Sequence, residues 1–286
     1  MDLNNQLRPE DIGPNFIDLR SILKAKGINA PGFVIKFMNR LLHVKELNHA
    51  IYTNREFTGL ELVDKFLKES LQFDVEVVNP ENIPLTGSPI ISGNHPLGGP
   101  DGMALLSAIG KYRKDVLFPV NDFLMAIPGL RCLFIPVDKI HHESTHMNEL
   151  RDAFAGNNTL LYFPAGLCSR RKKGVIKDLE WKNTFIRMSK KHHRDVVPVF
   201  IDAHNRNRFY TIANLRKSLG IKFGFEMALL PSEMFAQKGK CCRIIVGKPI
   251  PYTTFDNSHT LAEWSVMVKE HVYTLKENPS ATFIAK

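Results

Sequence analysis

A histidine and an aspartate stand on either side of a short loop rich in glycine and proline. His95 and Asp101 are separated by the five residues 96–100, Pro-Leu-Gly-Gly-Pro. Because such a loop extends neither a strand nor a helix, it bends the chain and lets the two side chains face each other. A carboxylate on one imidazole nitrogen fixes the tautomer and stabilises the imidazolium, so that the other nitrogen can act as a general base. The structural alternative is that Asp101 only caps the following helix.

The surrounding residues predict an α/β fold, with a mostly parallel central sheet flanked by helices. Short apolar runs and helical patterns alternate from residue 73 onward, which is typical of β-α units. The loop between residues 93 and 102 would then lie at the carboxyl end of a strand, where open α/β sheets bind their ligands. The predicted strands cover residues 73–78, 89–93, 116–120, 132–137, 159–163, 196–201 and 242–246. The predicted helices cover residues 102–112, 143–155, 181–190 and 261–275.

Residues 1–72 predict an N-terminal helical segment, which we separate from an α/β domain over residues 73–286. Helical patterns cover 16–23, 31–52 and 58–71, and the first two could form a hairpin at a membrane interface. The pattern over 31–52 is that of a basic amphipathic helix, which either lies in a membrane interface or packs on the core. Its apolar positions are Phe33, Val34, Phe37, Met38, Leu41 and Leu42, and its basic positions are Lys36, Arg40 and Lys45.

Composition narrows the location and the partners. The net charge of +9 favours an acidic partner such as an anionic membrane surface or an acidic carrier protein, whereas no nucleic-acid-reading module accompanies it. Four cysteines without Cys-x-x-Cys spacing favour a reducing compartment. The sequence has no secretory signal and no run of eighteen uncharged apolar residues. We therefore expect a cytoplasmic protein that is peripheral on the inner face of the cell membrane.

Four stretches, in this order, resemble the glycerolipid acyltransferase family, and together they span residues 89–201. They are Asn94-His95 with Asp101, the block 134–139 ending at Lys139, Phe163-Pro164-Ala165-Gly166 followed by Ser169-Arg170, and the Pro-Val strand 197–201. The resemblance implies an acyl transfer in which His95 is the general base and Asp101 orients it, without a cofactor or a metal. Backbone N–H groups near Gly98 and Gly99 are candidates for stabilising the oxyanion. The expected substrate-binding residues are Asn94, Gly98, Gly99, Lys139, Phe163, Pro164, Gly166, Ser169 and Arg170.

Two departures from the family pattern point to one branch of it. The family usually has four residues between the histidine and the aspartate, and it has glutamate where Ala165 stands. The longer loop resembles the bacterial hemolysin-like branch that O-acylates lyso amino-acid lipids of the ornithine or glycine type, with acyl carrier protein or acyl-CoA as donor. The alternatives are a lysophosphatidate acyltransferase of phospholipid synthesis and a catalytically inactive lipid-binding membrane protein.

Two further patterns have their own interpretations. His142-Glu143-Ser144-Thr145-His146 fits the His-Glu-x-x-His motif of zinc metalloproteases, with His142 and His146 as ligands, although no third ligand follows at short spacing. The four cations 170–173 either contact a lipid head group or an acidic carrier protein, or form a solvated loop. Cys168 beside them is interpreted as a bystander, because direct transfer needs no thiol nucleophile.

Overall fold

The central sheet of the computed structural model has seven strands, as the α/β prediction requires. The structure describes residues 8–25, 27–120, 122–125, 127–137, 144–221 and 224–285, with the side chains of 122–123 and 144–147 left out. The strand order is β1-β9-β8-β2-β5-β3-β4, and a separate hairpin pairs β6 with β7. The strands are β1 Asp74–Val78, β2 Ile90–Gly93, β3 Val116–Val120, β4 Phe134–Pro136, β5 Thr159–Tyr162, β6 Arg170–Lys172, β7 Val175–Lys177, β8 Val196–Asp202 and β9 Cys241–Val246.

Five neighbouring strands, β8, β2, β5, β3 and β4, run parallel, whereas β9 pairs antiparallel with β8 and parallel with β1. The sheet is therefore mostly parallel, as predicted. Strand β2 lies in its middle and is buried on both faces, which explains why Ile90 and Ile91 are apolar at consecutive positions. The chain leaves β2 between the ends of β5 and β8, so the loop that carries His95 emerges at the carboxyl edge of the parallel strands.

Helices cover both faces of the sheet. Alternate β2 side chains enter different clusters, with Ile91 packing beneath helices α4 and α5 and Ile90 packing beneath α7, α8 and α11. The helices are α1 Leu19–Ala25, α2 Gly32–Leu41, α3 Val44–Thr53, α4 Gly59–Lys65, α5 Pro100–Gly110, α6 Asp122–Met125, α7 Ser144–Ala155, α8 Thr184–His192, α9 Asn207–Ser218, α10 Leu230–Phe235 and α11 Leu261–Thr274. A π-helical turn, Phe66–Ser70, continues α4.

The prediction of a single helix over residues 31–52 is wrong, because the chain forms α2 and α3 with a break at His43. His43 has a φ of 51°, the left-handed conformation that ends a helix, and its ring stacks on Phe235 at a centroid distance of 5.0 Å. Hydrophobic spacing continues across the break, so the sequence pattern did not reveal it. The predicted boundary at residue 72 stays a prediction, although Leu62 and Leu71 are buried in the same cluster as the sheet.

Helix α2 uses its apolar positions in two ways. Ile35 is buried, whereas the side chains of Phe33 and Phe37 are 76% and 65% exposed. The helix therefore packs on the protein with one face and presents aromatic side chains to solvent with another. Within the described residues, every helix is too short or too polar to cross a bilayer.

Two strands and two helices after the third motif were not predicted. A solvated loop was one alternative for the four cations 170–173, but the first three of them form strand β6. Lys173 and Gly174 make the tight turn to β7, with φ values of 50° and 81°. Helices α9 and α10 follow β8. The strand predicted over 132–137 is shortened to Phe134–Pro136, because residues Pro128–Leu133 form a 3₁₀-helix.

Candidate active site

His95 and Asp101 meet at the carboxyl edge of the sheet. His95 follows β2 directly, and Asp101 lies in the first turn of α5. The Nδ1 atom of His95 is 2.9 Å from Oδ2 of Asp101, whose side chain is fully buried. The contact that the loop spacing predicted is therefore present, while the catalytic roles of the two residues stay predictions.

The carboxylate of Asp101 also holds the loop in shape. Its Oδ2 accepts hydrogen bonds from the backbone N–H groups of Leu97 (2.7 Å) and Gly98 (3.2 Å), and its Oδ1 accepts one from Gly102 N–H (2.9 Å). Burial raises the pKa of Asp101, but the charge and hydrogen bond of His95 and these N–H donors outweigh it, so the pKa lies below its usual value. Asp101 thus contacts the imidazole and also holds backbone N–H groups of the loop and of the first turn of α5, whose N-cap residue is Gly99.

Gly98 has a structural reason to be glycine. Its φ is 97°, and a Cβ atom there would lie 2.9 Å from Leu230 Cδ1 of α10. Its N–H group donates to Asp101. Gly98 N–H thus has a partner within the loop, and the expectation that Gly98 or Gly99 offers an N–H group to a developing oxyanion stays a prediction.

The other residues of the first and third motifs surround the histidine. The Phe163 ring stacks on the His95 ring with centroids 4.4 Å apart. Asn94 is buried, and its amide exchanges two hydrogen bonds with the backbone of Ile201, at 2.7 and 3.0 Å. Asn94 therefore ties the end of β2 to β8. Pro164 accepts a hydrogen bond through its carbonyl oxygen from Lys182 N–H, and Gly166 N–H donates to the carbonyl oxygen of Phe163.

A second buried carboxylate, which the sequence interpretation missed, holds His95 from the other side. Asp178 accepts hydrogen bonds from the backbone N–H of His95 (3.1 and 3.2 Å), from Ser169 Oγ (2.6 Å) and from Trp181 Nε1 (2.8 Å). Burial raises the pKa of Asp178, and these hydrogen bonds only partly offset the increase. Asp178 lies in a polar stretch without periodicity, so its only sequence signal was its position after the third motif.

Ser169 and Arg170 are engaged within the protein. Ser169 N–H donates to the carbonyl oxygen of His95 at 2.7 Å. The Arg170 guanidinium contacts the buried Glu226 (3.2 Å) and the carbonyl oxygen of Cys168 (2.6 Å), and it lies over the ring of Phe209. Both residues thus support the segment beside His95, and their predicted contact with substrate stays a prediction.

The remaining predicted residues are outside the site or outside the described part of the chain. Lys139 and His142 lie outside the described residues, and the side chain of His146 is likewise not described. In the described ranges, no group of three His, Cys, Asp or Glu side chains is arranged to hold a metal ion. Cys168 is fully buried, and burial raises the pKa of its thiol to about 11.

Comparisons with known proteins found a family model and relatives that match most of the chain. A family model described as Acyltransferase matches residues 22–282. The chain is 42% identical over 265 residues to a lyso-glycine lipid O-acyltransferase of Phocaeicola vulgatus, an alignment that covers 91% of this chain and 95% of that protein. It is 40% identical over 265 residues to a protein of the same name from Bacteroides thetaiotaomicron, covering 91% of this chain and 97% of that one.

One solved structure has the same fold. The crystal structure of the 1-acyl-sn-glycerophosphate (LPA) acyltransferase PlsC from Thermotoga maritima superposes with a TM-score of 0.51, at 22% identity. The match covers 76% of this chain and 79% of that chain. At this identity the likeness shows a common α/β architecture.

Proposed function

Because this chain belongs to the acyltransferase family and is an acyltransferase, we propose that it moves a fatty acyl group from a thioester donor to the hydroxyl of a lyso-glycine lipid. The observation that carries the proposal is the contact between His95 and Asp101 at the carboxyl edge of the sheet. The acceptor is taken from the two relatives at 40 and 42% identity, each aligned over 91% of this chain. The lyso-ornithine and lysophosphatidate alternatives have no comparable support.

The proposed mechanism uses His95 twice. Its Nε2 removes the proton from the acceptor hydroxyl while that oxygen attacks the thioester carbonyl carbon. The C–S bond of the resulting tetrahedral species then breaks, and the imidazolium gives the proton to the leaving thiolate. Asp101 accepts the Nδ1–H hydrogen bond throughout, which keeps Nε2 as the basic atom and stabilises the imidazolium.

The test is acyl transfer with a panel of donors and acceptors. The donors are acyl carrier protein and coenzyme A thioesters of one fatty acid, and the acceptors are lyso-glycine lipid, lyso-ornithine lipid and lysophosphatidate. We expect lyso-glycine lipid to be the best acceptor, and His95→Ala to lower the rate by about 10² to 10⁴-fold. His49→Ala, which removes an exposed histidine of α3, is the matched control. A folded His95→Ala protein with full activity, or a preference for lysophosphatidate, would overturn the proposal.

The same acceptor requires access to a membrane, and helix α2 supplies a surface for it. Phe33 and Phe37 lie one helical turn apart and are mostly exposed, with Lys36 and Arg40 on the same helix. Aromatic side chains enter the lipid interface while cations contact anionic head groups. We therefore place α2 on the anionic inner face of the cell membrane.

Vesicle sedimentation tests this placement. Replacing both Phe33 and Phe37 by Gln should abolish binding to vesicles that contain anionic lipid, because the apolar contact is lost. Val266→Gln changes an exposed apolar residue of α11, and it should leave binding unchanged. Equal binding of the double variant and wild type would exclude α2 as the docking surface.

A further inference from the structure

Two arginines follow β8 at the edge of the sheet that carries His95. Strand β8 ends at Asp202, and the side-chain amide of Asn205 then donates to the carbonyl oxygens of Pro96 and Leu97 at 3.3 and 3.4 Å. The next residue is Arg206, and Arg208 follows two positions later in α9. The chain thus places two guanidinium groups directly after a residue that contacts the His95 loop.

Both guanidinium groups converge on the hydroxyl of Ser232 in α10. Arg208 Nη2 lies 2.6 Å from Ser232 Oγ and Arg206 Nη2 lies 3.4 Å from it, while His43 Nε2 approaches the same oxygen at 3.2 Å. Arg206 Nη2 also donates to the carbonyl oxygen of Ser232 at 2.9 Å, so the two guanidinium groups lie side by side over one residue. Arrangements of this kind suit an anion, which accepts several hydrogen bonds at once.

The charges around Ser232 leave an excess of positive charge. Glu233 is fully buried and contacts Arg208 Nε at 2.7 Å and Arg206 Nη2 at 3.2 Å. One carboxylate thus faces two guanidinium groups. The arginine side chains are 43 and 44% exposed, so a ligand from solvent can reach them.

Ser232 also lines a cavity between the N-terminal helices and α10. The cavity has a volume of about 910 Å³ and combines apolar walls from Phe37 and Leu41 with polar groups. Among its polar lining atoms, Asn39 Oδ1 is buried and has no hydrogen-bond partner in the described part of the chain. The charged lining residues are two cations, Arg40 and Lys45, and two carboxylates, Asp18 and Glu46, so their charges sum to zero. A cavity of this volume with both apolar and polar walls, next to two guanidinium groups, has the character of a site for a charged single-chain lipid.

We propose that Arg206 and Arg208 bind the anionic head group of the lipid acceptor, whose chain occupies the cavity beside Ser232. The inference deepens the proposed function and rests on it, because it assigns the head-group end of the same acceptor. Helix α10 links the two sites, since Leu230 packs on Gly98 of the His95 loop. Asn39 Oδ1 accepts a hydrogen bond from a hydroxyl or amide N–H of the bound lipid. The bound anion takes the place of the Ser232 hydroxyl as an acceptor for the two guanidinium groups, while Glu233 keeps its contacts with both.

The test measures binding without any acyl donor, so that no reaction takes place. The probes are a short-chain lyso-glycine lipid below its micelle concentration and its methyl ester, which lacks the negative charge. Calorimetric titration should show that Arg208→Gln weakens binding of the free acid at least about tenfold, because a hydrogen bond to a charged group is lost. The ester should bind wild type and Arg208→Gln equally. Arg243→Gln removes an arginine paired with Glu76 on the far strands, and it should leave both affinities unchanged.

A second variant guards against misfolding. Removal of Arg208 leaves the buried Glu233 with one partner fewer, which is destabilising. The double variant Arg208→Gln with Glu233→Gln removes the unpaired charge as well, and it should lose the same affinity with a thermal midpoint nearer that of wild type. If either folded variant binds the free acid as tightly as wild type, the head-group assignment is wrong.

A phosphate pair separates this inference from the proposed function. Lysophosphatidate and monoacylglycerol differ in the anionic group, as the acid and its ester do. If the protein acylates only lysophosphatidate, the proposed acceptor is wrong. Loss of lysophosphatidate affinity in Arg208→Gln would in that case still support an anion site. Transfer to lyso-glycine lipid with affinities that Arg208 does not affect contradicts the head-group site alone.

Discussion

His95 is held from two sides by two buried carboxylates that come from different regions of the chain. The loop that ends at Asp101 contacts the imidazole ring at Nδ1, whereas the segment Ser169–Trp181 contacts the backbone N–H of His95 through Asp178. In the proposed mechanism, the first carboxylate controls the protonation and tautomer of the ring. The second controls where the ring lies. In the proposed mechanism, Asp101 therefore shapes the chemistry of His95 and Asp178 positions it, and each can be replaced on its own.

The largest effect is expected from Asp101→Asn. An asparagine in that position favours the wrong tautomer of His95 and offers no charge to the imidazolium, so kcat should fall by about 10² to 10⁴-fold. The acceptor KM should change little, because Asp101 is fully buried. Steady-state kinetics together with a thermal melt provide the measurement. A folded variant with kcat within a few-fold of wild type would show that the contact of Asp101 with the ring has only a structural role.

Asp178→Asn should have a smaller effect of a different kind. The asparagine oxygen still accepts the hydrogen bond from His95 N–H, but its NH₂ group meets the donors of Ser169 or Trp181. The resulting displacement of the loop should lower kcat about tenfold, within the range expected for a misplaced catalytic group. The shape of the pH–rate profile should stay that of wild type, because the Asp101 contact remains. A loss equal to that of Asp101→Asn would remove the distinction between the two carboxylates.

These two carboxylates also show what the sequence can predict. Asp101 is six residues from His95 across a loop whose glycines and prolines indicate a turn, so local reasoning brought the pair together. Asp178 is 83 residues away. No local pattern encodes such a contact, because it depends on how β5 and β2 lie side by side. The alternation of apolar runs and helical patterns was sufficient to predict the seven strands of the central sheet, since burial imposes an apolar pattern on each of them.

The features that the sequence analysis did not predict also depend on contacts between distant parts of the chain. The break at His43 depends on packing against Phe235, which lies far along the chain. The convergence of Arg206 and Arg208 on Ser232 requires α9 and α10 to be placed first. Spacing predicts contacts within one turn or loop, whereas contacts between distant elements follow only from the assembled fold.

The pH dependence of stability should distinguish the two carboxylates in sign. The pKa of Asp101 is lowered on folding, so the stability it contributes is complete above the ordinary value of 3.8 and is lost as the pH falls through the folded pKa. The pKa of Asp178 is raised, so its ionised form opposes folding, and this cost disappears as the pH falls from the folded pKa toward 3.8. Urea unfolding between about pH 3 and pH 7 provides the free energy of unfolding for wild type and both asparagine variants. On acidification, the advantage of wild type over Asp101→Asn should shrink and its advantage over Asp178→Asn should grow.

The smallest effect is expected from Cys168→Ala. This variant tests whether the segment that carries Asp178 also forms a covalent acyl intermediate. Cys168 precedes Ser169, is fully buried against Phe209 and Tyr210, and has a thiol pKa of about 11. Near pH 7 only about one molecule in ten thousand would carry the thiolate that attacks a thioester. We therefore expect unchanged kcat in the variant and, for wild type mixed with donor but no acceptor, no acyl group on Cys168 by intact-protein and peptide mass spectrometry. Cys241→Ala removes an exposed thiol and controls for non-specific acylation. An acyl adduct on Cys168 together with loss of activity in Cys168→Ala would show that this region reacts as well as positions, because a direct transfer to the acceptor hydroxyl leaves no acyl group on the protein.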